Sequence, residues 1–326
     1  MSKFTRRLQK IGSSILVSLP KQWVDAHNIG KGSQVQIETA ENNLSITAGE
    51  GKKLSKEIEI DYPLPSEENI AANITGAYLL GYDIITIRGK STISVKDREI
   101  IRESMRRLVG MEILDEDASN VNGQFLLDET SLNPEKIFKR MSSIALGMFD
   151  ETLSALRTGD KTNLQTIPNR DDEINRQYFL LVRFIRSTMV DRRLAGIFNL
   201  ENIDILDYRI AGNILETAGD TIVDLSKSIS ETTLSTSDQK KIYDIAKDIE
   251  TIQKKSIDAF ITNNRSLAIE AIKLHQQHQS KISKTRSSLQ HKKHAPIAFL
   301  DLIYMFEKIA QSWSDISDLV QPTYRK

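Results

Sequence analysis

Three acidic residues, Glu216, Asp220 and Asp224, recur at intervals of four in this 326-residue chain. Residues four apart lie on the same face of a helix, so these carboxylates form an acidic stripe whose members repel one another. Two interpretations are open. The stripe is either a solvated face paired with Lys and Arg of a neighbouring helix, or part of a carboxylate cluster that binds hard or borderline cations.

A second group of polar side chains opens the preceding predicted helix, where Asp171, Asp172 and Asn175 occur. At a rise of about 1.5 Å per residue, an antiparallel arrangement brings this helix start to roughly the height of Glu216 and Asp220 on the next helix. Oxygen ligands from two facing helices are the chemistry that helical bundles use for metals. The spacing therefore predicts that the two groups can meet.

Histidines are concentrated near the end of the chain, because four of the five lie between residues 275 and 294. With Glu307, His275 and His278 could compose a nitrogen-rich site suited to zinc. The alternative, which we favour, is a degenerate site with surface histidines. Residues 273–293 contain six basic residues and no acid. This segment predicts a cationic face for phosphate, nucleic acid or an acidic partner.

The N-terminus carries local positive charge in a chain that is neutral as a whole, with 44 Lys and Arg against 44 Asp and Glu. Its first twelve residues contain Lys3, Arg6, Arg7 and Lys10 and no acid. Such cations suit phosphates and groove edges, because each neutralised phosphate releases a counterion and arginine can fork onto guanine. The alternative is a soluble N-terminal tail.

The elements that would present these cations have their own turn signals. Ile15, Val17 and Leu19 alternate with other residues, which predicts a strand that Pro20 stops because proline has no N–H to donate. A short helix should follow, with Trp23, Val24 and Ala26 on its apolar side and Gly30 and Gly32 after it, then strands around residues 35–37 and 44–46 joined by an Asn42-Asn43 turn.

Residues 52–130 predict a compact α+β connector. Its predicted strands lie around residues 58–60, 84–87, 111–114 and 125–127, and its two helices around residues 70–79 and 95–108, with Gly81 ending the first. No glycine motif that could cradle a phosphate occurs here. We therefore expect a connector or second dimerisation surface rather than a small-molecule site.

From Pro134 onward, apolar residues recur at helical spacing almost without interruption. After a Ser/Thr-rich segment at residues 230–237 the pattern starts again, with predicted helices at 242–261, 267–289 and 296–320. The segment from Glu216 to Asp224 matches the later one from Glu307 to Asp315, except that Gln311 stands where an Asp is expected. These repeats predict two tandem antiparallel three-helix bundles.

Together these patterns predict a multidomain, mainly α protein with four parts: a head at residues 1–50, the connector at 52–130, and bundles at 134–230 and 237–322. The head segment from Lys10 to Lys21, followed by Ile29-Gly30-Lys31-Gly32-Ser-Gln-Val35, resembles the AbrB/SpoVT/MazE family, with Leu19 and Ser33 departing from its usual residues. The resemblance implies a dimeric swapped-hairpin β-barrel, since about 45 residues cannot bury a sufficient core alone. It also implies DNA contacts by Arg6, Arg7, Lys10, Ser13, Ser14 and Lys21.

The tandem bundles, with Glu-x-x-x-Asp on their third helices and Asp-x-x-Ile-Asn on the second, resemble the PhoU family of phosphate-uptake regulators. The order of head, connector and bundles resembles archaeal members of that group. The resemblance implies iron or zinc ions on bundle carboxylates. Position by position, it nominates Asp171, Asn175, Glu216 and Asp220 as ligands, with Asp224 flanking.

The function predicted on these grounds is a cytoplasmic, homodimeric or larger DNA-binding transcription regulator of phosphate uptake, with phosphate transporter or kinase components as further partners. The chain has no cysteine, no apolar run near the roughly 18 residues of a membrane span, and no nucleophile–base pair, so we expect neither a disulfide framework, membrane insertion nor an enzyme. One alternative is an interaction protein that inhibits a phosphate transporter or signalling kinase, with a head that serves only dimerisation. The other is an antitoxin, against which the long folded tail argues.

Overall fold

The computed structural model describes residues 4–40, 43–48, 55–290 and 297–320. The chain forms two compact units, a head unit of residues 1–55 and a main unit of residues 56–326. The boundaries predicted at 130/134 and 230/237 fall inside the main unit and stay predictions. Among the described residues, no helix combines the length and apolar character that a membrane span requires.

The head unit contains two antiparallel hairpins and one short helix. Strands β1 (Gln9–Ile11) and β2 (Ser14–Leu16) pair through a turn in which Gly12 has φ +62°, a conformation that favours glycine. Helix α1 (Lys21–Ala26) follows, and β3 (Val35–Ala40) pairs with β4 (Asn43–Ala48). The predicted barrel of two copies stays a prediction.

Two local expectations for the head unit need correction or lie beyond the description. The predicted strand through Leu19 is wrong, because β2 ends at Leu16. The Pro20 carbonyl instead accepts the first helical hydrogen bonds, from the Trp23 and Val24 N–H groups. Asn42 of the predicted turn lies outside the described residues, and Asn43 begins β4.

The main unit begins with a four-stranded sheet. Its strands are β5 (Glu57–Tyr62), β6 (Ile84–Gly89), β7 (Met111–Glu116) and β8 (Asn120–Phe125), in the order β5-β6-β8-β7. Only the β5–β6 pair is parallel within this sheet. Helices α2 (Ile70–Leu79) and α3 (Val95–Arg106) connect the first three strands, and the side chains of Asn69 and Ser94 cap their N-termini.

The last strand was predicted in the wrong place, at residues 125–127 instead of Asn120–Phe125. It follows β7 through a tight turn in which the Asp117 carboxylate accepts from the N–H groups of Ser119 and Asn120 at 2.7 and 2.8 Å. Asparagine and glycine are depleted in strands, so β8 carries little strand signal of its own. Pairing with β6 and β7 on both sides stabilises it.

Eight helices of the described part complete the main unit. They are α4 (Pro134–Thr158), α5 (Ile167–Val190), α6 (Arg192–Ile197), α7 (Asn202–Glu231), α8 (Thr236–Ala246), α9 (Ile249–Thr262), α10 (Arg265–Gln290) and α11 (Ile297–Asp318). Helices α4, α5 and α7 pack on one another, and so do α9, α10 and α11. The two groups meet chiefly where α7 packs against α11, with α4 against α8 and α9. The mainly helical architecture predicted after residue 134 is confirmed.

The helix predicted at residues 242–261 is wrong in one respect, since it is divided into α8 and α9 between Ala246 and Ile249. Both helices pack on α4, α10 and α11, but α8 divides its contacts almost evenly between α4 and α11, whereas α9 packs mainly on α10 and α11. The short helix α6 between α5 and α7 was not predicted either.

A buried arginine joins the sheet layer to the helices. Arg183 of α5 is fully buried and donates to the carbonyls of Tyr78 and Tyr82 at 3.0 and 2.7 Å. Its other terminal nitrogen donates to the Asp83 carboxylate at 2.7 Å. The guanidinium also lies 3.9 Å from the ring centroid of Phe125, a cation–π contact. A fully buried cation therefore helps to join the two layers of the main unit.

Candidate functional site

The predicted carboxylates of α5 and α7 meet in the helical layer. Asp171, in the first turns of α5, is buried and points its Oδ1 at Gly219 of α7, where an added Cβ would lie 2.9 Å away. Glycine thus permits the close approach of the two helices. Asn175 donates to Asp171 Oδ2 at 3.2 Å, while Asp171 Oδ1 is buried without a hydrogen-bond partner in the described structure.

Mutual repulsion within this group is visible in its pKa values. Burial, followed by the charges of Asp220 and Glu216, raises the pKa of Asp171 to about 6. Burial and Asp220 raise the pKa of Glu216. Burial and Asp224 raise the pKa of Asp220, and Lys308 of α11 counteracts them. We call Asp171, Glu216 and Asp220 the carboxylate cluster; Asn175 lies beside it and Asp224 flanks it along α7.

The cluster offers oxygen ligands of the kind that bind cations, but these ligands are not arranged around a metal position. Within the described residues, no group of three or more His, Asp or Glu side chains is arranged to hold a metal ion. The unpartnered Asp171 oxygen and the all-oxygen donor set nevertheless fit a hard or borderline cation, because buried carboxylates of like charge need a counter-charge. Metal binding at this cluster stays a prediction.

The second predicted set, on α10 and α11, does not fit a metal in the same way. The Glu307 carboxylate accepts from Arg286 at 2.6 Å, so it is engaged in an ion pair. Gln311, which replaces the expected acid, donates to Asp315 at 2.5 Å. These acidic side chains of α11 thus pair with neighbouring side chains, and zinc binding at His275, His278 and Glu307 stays a prediction.

The expectation of surface histidines is wrong. Both His275 and His278 are buried, at 4% and 0% exposure. Burial, with a smaller effect of His275, lowers the pKa of His278 to about 4, so its ring is neutral at pH 7. The cationic face expected at 273–293 is also partly neutralised, because Lys281 pairs with Asp248 and Arg286 with Glu307. His291, Lys292, Lys293 and His294 lie outside the described residues.

All six residues nominated for DNA contact are exposed in the head unit. Arg6 and Arg7 precede β1, Lys10 lies in β1 opposite Ile15 of β2, and the remaining three lie in the hairpin turn, at the start of β2 and at the start of α1: Ser13, Ser14 and Lys21. The Arg6 guanidinium lies 5.6 Å from the ring centroid of Phe4. The hairpin thus presents cations and hydroxyls together.

The head unit buries none of its described side chains. Leu8, Ile11 and Ile15 on and beside the first hairpin are 69, 63 and 68% exposed, and Ile37 and Leu44 of the second are 55 and 57% exposed. Alternating apolar residues in paired strands normally face a core. A single copy of this unit therefore leaves uncovered the apolar surface that its strands would bury.

Residues 138–229, which span most of α4 to α7 and include the carboxylate cluster, match the family model of the PhoU domain. Residues 8–52 match the model described as antidote-toxin recognition MazE, bacterial antitoxin. These matches confirm the two family resemblances over those ranges. Arg6 and Arg7 precede the second range, and α9 to α11 lie outside the first.

Two solved structures similar to this chain are the phosphate transport system regulatory protein PhoU from Streptococcus pneumoniae and PhoU from Pseudomonas aeruginosa. The first is 19% identical with a TM-score of 0.47 and covers 57% of this chain and 91% of its own. The second is 14% identical with a TM-score of 0.42 and covers 57% and 93%. No curated protein sequence matches the chain.

Proposed function

We propose that this protein is a DNA-binding regulator of phosphate homeostasis, in which a dimeric head reads DNA and the PhoU-like helices relay phosphate status. The match of residues 138–229 to the PhoU domain supports the role of the helices in phosphate homeostasis. The MazE match and the cations on the first hairpin support DNA binding by the head. The observation that carries the proposal is a folded head without a single buried side chain among those described.

A second copy of the head is the partner that fits this surface best. The exposed Leu8, Ile11 and Ile15 are apolar and lie on one short hairpin, next to Lys10 rather than far from it. Covering the apolar residues with another head would fix two copies of Arg6, Arg7 and Lys10 on one body. Two-fold related cationic hairpins then match two half-sites on a DNA duplex.

The DNA test compares two triple variants that lose the same charge. A fluorescence anisotropy titration of promoter DNA at several salt concentrations measures affinity and its salt slope. The test variant carries Ala for Arg6, Arg7 and Lys10, and the control carries Ala at exposed lysines of α8 and α9, namely Lys240, Lys241 and Lys254.

Each lost phosphate contact reduces the salt slope by about 0.9, so the head variant should lose up to about 3 per head while the control keeps the wild-type slope. Equal binding by all three proteins contradicts DNA reading by these cations. The head would then serve only dimerisation, and the protein would act through protein partners such as a transporter or kinase.

We further propose that the carboxylate cluster binds divalent cations or iron or zinc, with Asp171, Glu216 and Asp220 as oxygen ligands, Asn175 and Asp224 beside them. A bound cation would supply the positive charge that offsets carboxylate repulsion between α5 and α7. Gly219, which has no side chain, leaves the room for this close approach of the two helices.

Elemental analysis of the purified full-length protein tests this site. The Glu216→Ala, Asp220→Ala double variant should lose the metal. A control with Asp244→Ala and Glu250→Ala, whose carboxylates pair with surface lysines, should retain it. Equal metal content in the two double variants removes the cluster as the site.

A further inference from the structure

A cavity of about 630 Å³ opens between the end of α3 and the first half of α5. Three arginines, Arg106, Arg107 and Arg176, lie on its wall, together with the aromatic ring of Phe179. Asn175, which donates to Asp171 of the carboxylate cluster, lines it as well. The cavity therefore lies between the sheet layer and the helical layer, next to the cluster.

The arginines that line this cavity outnumber the acids that line it. The side chain of Arg106 makes no ion pair or hydrogen bond within the described residues. Arg107 reaches Asp172 only at 3.9 Å, with its side chain 73% exposed. Glu103 is the other lining acid, so three arginines face two carboxylates. The wall thus retains positive charge where a ligand would lie.

Arg176 is held in place rather than free to swing. Its Nε donates to the carbonyl of Arg107 at 3.2 Å, which ties α5 to the end of α3. One of its terminal nitrogens donates to Glu173 at 3.0 Å. The same Glu173 accepts from Arg140 at 2.7 Å, so this one carboxylate serves two arginines. A positioned guanidinium fork with incomplete neutralisation is suited to bidentate contact with phosphate oxygens.

We propose that this cavity binds a phosphorylated small molecule of the nucleotide class, with its phosphate on Arg106, Arg107 and Arg176 and its ring against Phe179. The volume is within the range of pockets for small organic ligands and far larger than one phosphate ion needs. Phe179 lines the cavity and is only partly buried, so it is the aromatic residue on which the ligand's ring would stack.

This inference deepens the proposed function, on which it rests for its biological role, because the ligand would be the input that the helices relay. Asn175 touches the cavity and Asp171, so an occupied cavity would restrain the first turns of α5 beside the carboxylate cluster. Ligand binding to the cavity needs neither DNA nor the head. An experiment can therefore show that ligand binding fails while DNA binding holds, or the reverse.

Isothermal titration calorimetry on the full-length protein without DNA, with AMP, ADP, ATP, orthophosphate and adenosine as probes, tests the proposal. We expect a nucleotide to bind at least tenfold more tightly than orthophosphate, and adenosine not to bind. Arg106→Ala with Arg107→Ala should weaken nucleotide binding roughly ten- to hundredfold, since each removes a charge-assisted contact. The control is Arg88→Ala with Arg265→Ala, two exposed arginines far from the cavity wall in sequence and absent from its lining.

A second variant distinguishes the contribution of the ligand's ring to binding from that of its phosphate. Phe179→Leu keeps the wall apolar but removes the ring, so it should weaken nucleotide binding several-fold and leave orthophosphate unchanged. Absence of binding by every phosphorylated probe at about 1 mM overturns the proposal. So does nucleotide binding that the arginine variant leaves intact. Orthophosphate binding as tight as that of nucleotides overturns the assignment to an organic ligand.

Discussion

Replacing Arg183 with methionine removes the fully buried cation that joins the two layers of the main unit while keeping most of the side-chain volume. The wild-type guanidinium donates to two carbonyls and to Asp83, which is 8% exposed, and lies 3.7 Å from Glu129, which is 6% exposed. Burial lowers the pKa of Arg183 despite the attraction of Asp83, which shows that holding the charge there costs free energy. Its contacts have to offset that cost.

Removing one partner of a buried ion pair typically costs about 3–5 kcal/mol, because the other charge stays buried. Loss of the hydrogen bonds to the Tyr78 and Tyr82 carbonyls adds roughly 1 kcal/mol each, and methionine packing on Phe125 returns part of it. We expect Arg183→Met to lower the free energy of unfolding by about 3–5 kcal/mol. Adding Asp83→Asn should recover part of the loss, because the buried negative charge is then gone.

Urea unfolding in a Trp23→Phe background, followed by the fluorescence of Trp313, which is fully buried in α11, reports on the main unit. The control is Arg88→Met, whose ion pair with Glu59 is largely exposed and should contribute at most about 1 kcal/mol. A loss below about 1 kcal/mol for Arg183→Met, or no recovery in the double variant, would refute the view that a buried cation joins the layers.

Two further substitutions test local packing and charge. Gly219→Ala should cost about 1–3 kcal/mol in urea unfolding, because its Cβ would lie 2.9 Å from Asp171 Oδ1, whereas Gly76→Ala in α2, with nothing within 4 Å, should be neutral or slightly stabilising; equal effects would contradict the close approach. His278 has a folded-state pKa of about 4 against an ordinary 6.5, so its contribution is complete above pH 6.5 and falls as the pH drops towards 4. The loss should be about 2 kcal/mol between pH 7.5 and 5, and His278→Leu should abolish that part; an unchanged pH dependence in the variant would assign it to other groups.

Local signals predicted the helices best where a cap and a stop both occur. Helix α4 begins at Pro134 after an Asn133 cap and ends at Thr158. The next residue, Gly159, has a φ of +78°, in the left-handed region that favours glycine. The break between α8 and α9 has no such signal, because Ile242, Ile245, Ile249 and Ile252 continue the helical spacing across it. The break accompanies a shift in packing, from contacts divided between α4 and α11 for α8 to contacts mainly with α10 and α11 for α9, which no local signal encodes.

The candidate sites likewise differ in whether local sequence signals could predict them. The meeting of Asp171 with Glu216 and Asp220 could be foreseen, since a constant rise per residue sets the heights of antiparallel helices. The burial of His275 and His278 could not be foreseen. Polar side chains on a predicted helix are expected to face solvent, and their burial depends on which helices cover them.

Helix α5 is held to its neighbours at three positions along its length. Asp171 faces α7, Arg176 is tied to the end of α3, and Arg183 is buried against the residues that follow α2. These three positions span twelve residues, or about 18 Å of one helix. An unbroken helix held at all three positions moves as a body, so a ligand that shifts its first turns must also shift Arg183 or break its contacts with Tyr82 and Asp83. A ligand in the proposed cavity would therefore be coupled to the sheet layer through α5 itself, and Arg183→Met should loosen that coupling even where it leaves ligand affinity unchanged.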